Sequence, residues 1–236
     1  MATDFLLLQH YPDADHARFR SYGWQRPACT FGFSQKIAFV REHLPADFEG
    51  ELCRRPTGGG IVDHRYDWTY ALVIPRGAAL YDERAVESYR LIHVALTHAL
   101  VACGIPAEIK TDCDPPAADP DGLNDNAAAV ACRPVGPGVC FQRAERHDVI
   151  HAGTGAKLAG AAQKRAKRGL LFQGSVDRAA VEHAGAIDWT QFSDTFIAHL
   201  ADALAADAAP AAWPDIDEAV DQLAEQYAMP EWVEYR

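Results

Sequence analysis

Arg54-Arg55-Pro56-Thr57-Gly58-Gly59-Gly60-Ile61-Val62-Asp63-His64 packs two cations and three successive glycines between two apolar, strand-like runs. Consecutive glycines hold backbone conformations closed to other residues, so their amides can approach a ligand's carbonyl or phosphate with no side chain in the way. His64 carries a ring whose neutral form is available near pH 7, able to orient a ligand or act as a base, or to bond backbone at the end of a strand. Asp63 and Asp67 stand close by, but two carboxylates without a further ligand pattern read as loop solvation, and no metal is assigned. The six cysteines, Cys29, Cys53, Cys103, Cys113, Cys132 and Cys140, form no CxxC pair and no zinc-type spacing with histidine. They are expected as free thiols, each a small buried hydrophobe unless something else marks it.

The elements that must hold this loop are legible on both sides of it. Arg20 to Gln35 reads as extended segments broken at Gly23 and Pro27, with a strand over Cys29–Phe33. Leu52-Cys53 leads into the loop, and Ile61-Val62 and then Thr69–Ile74 leave it as strands, stopped by Pro75. Apolar residues at Val86, Tyr89, Leu91, Ile92, Ala95, Leu96, Ala99 and Leu100 predict a buried helix over Ala85–Cys103, closed by Gly104 and Pro106. Residues 112–138 turn to Asp, Pro, Ala and Asn, the composition of a flexible insertion. Phe141 to Gln173 returns to strand patterns at Asp148–His151, Lys157–Gly160 and Leu170–Phe172, and helical patches follow at Trp189–Ala206 and Ile216–Ala228. Trp232 and Tyr235 are expected to pack the end of the terminal helix.

At 236 residues the chain can bury one substantial core. Its formal charge of −11 is the wrong sign for a general nucleic-acid binder, which displaces phosphate counterions with Lys and Arg. No apolar run is long enough to span a bilayer, and Phe5–Leu8 is too short and follows Asp4 rather than a basic region, so a cytoplasmic protein with neither membrane nor nucleic-acid partner is expected.

Two separated motifs in order carry a resemblance. The Arg54–His64 stretch, followed by Gly155-Ala156-Lys157-Leu158-Ala159-Gly160-Ala161-Ala162-Gln163-Lys164-Arg165 and Leu171-Phe172-Gln173-Gly174-Ser175, is similar to the lipoate-protein ligase and octanoyltransferase family. Ser21-Tyr22-Gly23-Trp24 and Phe31-Gly32-Phe33-Ser34-Gln35 resemble that family's early strands, so the likeness covers roughly residues 20–180. It implies a biotin/lipoate ligase-like α/β domain spanning residues 1–236: a mixed, largely antiparallel sheet with flanking helices and a smaller second sheet. It also implies that Arg54, Arg55, Thr57, Gly58, Gly59, Gly60, His64, Gly160 and Ala161 line a pocket for the acyl chain and its activated head group, and that Lys157 contacts the acyl carbonyl or acyl phosphate. The residues agree, because a cation beside an acyl carbonyl stabilises the charge that develops on oxygen. Lys157 also lies between small residues that leave room for a ligand.

Family members run two chemistries. Ligases activate a free acid with ATP and Mg and need no enzyme nucleophile. Transferases move the acyl group from acyl carrier protein to their own cysteine and then to a lysine of a lipoyl carrier domain, of the dehydrogenase E2 or glycine cleavage H type. Cys140-Phe141 stands where one transferase branch carries its nucleophile. An octanoyltransferase needing no cofactor, acting through Cys140 and Lys157, is the expectation. Gly60 pulls toward the ATP-dependent ligases, since the transferase branch often has Arg there. A silent acyl-binding or carrier-binding protein is a third reading, raised by the few residues before Ser21, where the family carries a longer segment. The basic run Lys164–Arg168 reads as a solvated hairpin tip that could also steer an acidic carrier protein.

Overall fold

The computed structural model describes residues 1–10, 16–112 and 143–235. Most of the expected insertion at 112–138, and Cys140 and Phe141 with it, lies outside the described residues. In chain order the elements are α1 (Ala2–His10), β1 (Arg18–Tyr22), β2 (Ala28–Phe31), α2 (Ile37–Glu42), β3 (Glu51–Arg54), β4 (Val62–Asp63), β5 (Asp67–Pro75), α3 (Ala79–Asp82) and α4 (Ala85–Ala102). They continue with β6 (Ala107–Ile109), β7 (Val149–His151), β8 (Lys157–Ala166), β9 (Gly169–Asp177), α5 (Arg178–Ala184), α6 (Trp189–Ala203), α7 (Asp217–Ala228) and α8 (Pro230–Val233).

Among the described residues, β1-β5-β9-β8-β7-β6 form one antiparallel sheet. A smaller sheet, β3-β2-β4, pairs β2 parallel to β3 and antiparallel to β4. The expected architecture of a large, mainly antiparallel sheet beside a smaller one is the one observed. Successive side chains of a strand point to opposite faces, and β5 shows the consequence. Tyr70, Leu72 and Ile74 enter a core with Ile92, Leu96 and Leu100 of α4 and Phe192, Phe196 and Leu200 of α6. Ala71 and Val73 meet Leu6, Leu7 and Leu8 of α1 in a second core on the other face. Both faces are covered, which is why β5 reads as a continuous apolar run.

The helix expected over Ala85–Cys103 is α4, and its end follows from two hydrogen bonds. The Gly104 amide donates to the Val101 carbonyl at 2.9 Å and the Ile105 amide to the Leu100 carbonyl at 2.9 Å, the pattern that satisfies the last carbonyls of a helix. The strand expected over Cys29–Phe33 is shorter, Ala28–Phe31. It stops because Gly32 meets the glycine loop: a Cβ there would lie 2.2 Å from the Gly59 carbonyl oxygen. The basic run at 164–168 is the end of β8 and its turn into β9, as expected of a hairpin tip. No helix among the described residues is long and apolar enough to cross a membrane.

Candidate active site

The glycine loop joins β3 to β4, both strands of the small sheet, so it is anchored at each end. Arg54 and Arg55 are consecutive at its start, and strand alternation sends their side chains opposite ways. Arg54 is fully buried and donates to four backbone carbonyls: Phe33 at 2.8 Å, Gln35 at 2.7 Å, Trp232 at 3.0 Å and Val233 at 2.8 Å. Arg55 turns back on the loop, donating through Nη2 to the carbonyls of Gly58 and Gly60, both at 2.8 Å, and through Nη1 to Thr30 Oγ1 at 2.7 Å. Thr57 Oγ1 donates to Gln173 Oε1 at 2.9 Å, bracing the loop against β9.

Between the loop and the large sheet lies a narrow cavity. Arg55, Gly59 and His64 line one side of it, and Gly160, Ala161 and Ala162 of β8 with Gln173, Gly174 and Ser175 of β9 line the other. Its volume of ≈ 40 Å³ is that of about three waters. A larger ligand would enter by displacing side chains, and the unbranched Met1, which also lines the cavity, is the readiest to yield.

His64 is buried in a polar network at the cavity edge. Nε2 lies 2.7 Å from Thr30 Oγ1 and Nδ1 lies 2.7 Å from Asp67 Oδ2. Trp24 stacks on the ring at 4.2 Å between centroids and donates from Nε1 to Thr69 Oγ1 at 2.8 Å. Asp67 Oδ2 also accepts from Thr69 Oγ1 at 2.9 Å and from Ser175 Oγ. Asp67 is therefore no solvated loop carboxylate, as its spacing to Asp63 suggested. Its side chain is 1 % exposed, and three donors meet its Oδ2 in place of water. Asp63 pairs instead with Arg65 at 2.7 Å.

Lys157 opens β8 and forms a buried ion pair with Asp148, Nζ to Oδ2 2.7 Å, both side chains at most 5 % exposed. Tyr89 of α4 donates to Asp148 Oδ1 at 2.5 Å and accepts from the Ala161 amide at 3.1 Å, while the Glu145 amide donates to Asp148 Oδ2 at 2.7 Å. A Cβ at Gly160 would come within 2.8 Å of Lys157 Cε and 2.9 Å of Nζ. Gly160 thus admits the ammonium to the back of the same residue whose front lines the cavity.

Beside this pair, His93 of α4 is fully buried, with Nδ1 2.7 Å from the His147 carbonyl. Burial pushes its pKa from the usual 6.5 down to about 4, and burial lowers that of His147 as well. Between pH 6.5 and about 4 the unfolded chain binds a proton at His93 that the folded chain refuses, so stability falls as pH drops through that window. The loss levels off near about 3 kcal/mol at about 1.4 kcal/mol per pKa unit. Urea denaturation across the window should show a shallower fall for His93→Asn than for the wild type; equal slopes would assign the acid sensitivity elsewhere.

The structure brings Arg55, Gly59, His64, Gly160 and Ala161 to one cavity and sets Lys157 behind Gly160. It gives Arg54 to the scaffold, Thr57 to the brace on β9, and the carbonyls of Gly58 and Gly60 to Arg55. Cys140 lies outside the described residues. Thr30, Asp67 and Thr69 escape motif reading, and Ser175, the last residue of the second motif, receives no role from it. Their signal is a polar stripe on apolar strands: Asp67 and Thr69 share a face of β5, and Ser175 is the direct cross-strand partner of Thr69.

Comparison with known proteins finds relatives in sequence and in fold. An "Octanoyltransferase LipM" from Symbiobacterium thermophilum is 33 % identical over 160 residues, 66 % of this chain and 52 % of that relative. The chain spans between about half and three-fifths of the length of the first such relatives it matches, 52 % and 60 %. Protein Ta0514 of T. acidophilum, solved with bound lipoic acid, superposes with a TM-score of 0.71 at 16 % identity, covering 100 % of this chain and 92 % of that one. A lipoate-protein ligase A bound with ATP superposes with a TM-score of 0.69 at 16 % identity, covering 99 % and 92 %. The model of the lipoyl protein ligase A/B catalytic domain matches residues 1–179, both motifs and the whole large sheet included, and the chain belongs to that family.

Proposed function

We propose that this protein is an octanoyl-[acyl carrier protein]:protein N-octanoyltransferase of protein lipoylation. The observation that carries the reading is the placement of Lys157. A buried ammonium held by Asp148 stands against Gly160, whose backbone walls the cavity, so a positive charge is available to an acyl oxygen seated there. The octanoyltransferase relatives and the Cys140-Phe141 pair support the following order of events. Cys140 attacks the thioester of octanoyl acyl carrier protein, and the carrier's thiol leaves with a proton. A lysine of a lipoyl carrier domain then takes the acyl group from sulfur as an amide. Arg55 holds the glycine loop closed over the site. The transferase needs no cofactor. The second reading, an ATP-dependent lipoate-protein ligase using ATP and Mg, is favoured by Gly60.

Intact mass of the protein after incubation with octanoyl acyl carrier protein, without ATP, separates the two. Wild type is expected to carry a hydroxylamine-labile octanoyl adduct that Cys140→Ser lacks. Absence of the adduct together with ATP-dependent octanoylation of a lipoyl domain would replace the transferase with the ligase.

A further inference from the structure

With His64 neutral, the hydrogen bonds around Thr30 have one polarity. Arg55 can only donate, so Thr30 Oγ1 accepts from it at 2.7 Å. The Asp67 carboxylate can only accept, so His64 Nδ1 carries a proton and donates to it at 2.7 Å. With Nδ1 protonated, the neutral ring presents Nε2 as an acceptor, and the Thr30 hydroxyl, 2.7 Å away, donates its proton there. Carboxylate, imidazole and hydroxyl stand in the order in which a buried acid orients a base and stabilises the imidazolium that forms. Thr30 and His64 both line the cavity.

We infer that Thr30, His64 and Asp67 form a proton relay that takes up the proton of the amine attacking the acyl-enzyme. This inference rests on the transferase reading. The carrier lysine arrives as an ammonium; one proton passes to Thr30 Oγ1 as the hydroxyl's own proton passes to His64 Nε2, and the neutral amine left behind bonds to the acyl carbon. The C–S bond breaks, the second proton of that nitrogen passes to the departing Cys140 sulfur, and the imidazolium returns its proton to solvent. Asp67 compensates the charge on His64, and the Arg55 cation favours the momentarily electron-rich Thr30 oxygen. Acylation from the carrier thioester needs no amine deprotonation, so the relay serves the second half-reaction alone. Thr30 and His64 thus carry the proton, and Asp67 is a positioning residue.

The test follows both half-reactions by intact mass in wild type, Thr30→Val and Thr30→Ser. Valine keeps the shape and removes the hydroxyl; serine restores it. Thr30→Val is expected to slow formation of the octanoyl adduct by no more than about tenfold, through the acceptor lost to Arg55, and to slow its discharge to a lipoyl domain by at least about 100-fold, the scale of general base catalysis. Thr30→Ser should discharge within about threefold of wild type on that scale. Hydroxylamine, already unprotonated at neutral pH, should discharge wild type and Thr30→Val equally, which a distorted site would not allow. Discharge of Thr30→Val to the lipoyl domain at the wild-type rate, or equal slowing of both half-reactions, overturns the relay. If Thr30→Val does not fold, Asp67→Asn is expected to show the same split. A wild type that forms no adduct overturns the transferase reading itself, and the relay step with it.

Discussion

Replacing Lys157 by methionine is expected to lower acyl transfer by at least about 100-fold, the scale of removing one preorganised charge or dipole that stabilises a developing oxyanion. The single variant alone would not prove the point, because Lys157 is also half of a buried ion pair with Asp148 at 2.7 Å. Removing one partner strands the other charge away from water, which costs about 3–5 kcal/mol. Asp148 would keep only the Tyr89 hydroxyl and the Glu145 amide among its bonds described above. The double variant Lys157→Met, Asp148→Asn separates the two effects. With both charges gone, most of the lost stability should return, since neutralising a whole buried pair is far cheaper than breaking it. Activity should not return, because no cation then stands behind Gly160. Urea midpoints and single-turnover rates read the two quantities independently. A double variant that recovered both would make Lys157 a structural ion-pair partner, and the oxyanion would need another donor.

The contrast between what motif and what geometry reveal runs through the same residues. The glycine loop is legible because glycine repeats and flanking strand patterns are local. The helix Ala85–Ala102 is legible because one face of it is buried and the other is not, which imprints a period of 3.6. The helix α1 leaves no such imprint. Leu6, Leu7 and Leu8 are consecutive and all buried, because α1 is packed between the large sheet and α7, so no polar face interrupts the run. Arg54 and Arg55 look like a pair in the sequence, yet the strand's period of two divides them between scaffold and cavity. The one that faces the cavity is fastened there by Thr30, 25 residues away from Arg55. The network on Asp67 draws on β2, β5 and β9, and only the fold brings their side chains together. Sequence names groups that line the cavity; the groups that orient them come from strands distant in the chain.

Arg54 illustrates how large such an unmarked role can be. Arg54→Met is expected to cost at least about 3–5 kcal/mol, the range for uncovering buried polar groups that had relied on a charged partner. The guanidinium reaches the carbonyls of Phe33 and Gln35 in the turn after β2 and those of Trp232 and Val233 at the end of α8. It rests over the Phe31 ring at 4.8 Å, and Trp232 Nε1 returns a bond to the Arg54 carbonyl at 3.0 Å. The last carbonyls of a helical turn lack partners within it, so one side chain here both caps α8 and fastens it to the small sheet. Lysine cannot substitute, because an ammonium offers three donors from a single nitrogen, whereas the planar fork spreads its donors toward carbonyls on two sides. Arg54→Lys should therefore recover little of the stability lost in Arg54→Met, and limited proteolysis should cut the segment around residues 229–235 first in both variants. Wild-type urea midpoints for Arg54→Lys would show instead that the charge alone suffices, and that the four carbonyl bonds contribute little to holding α8 against β3.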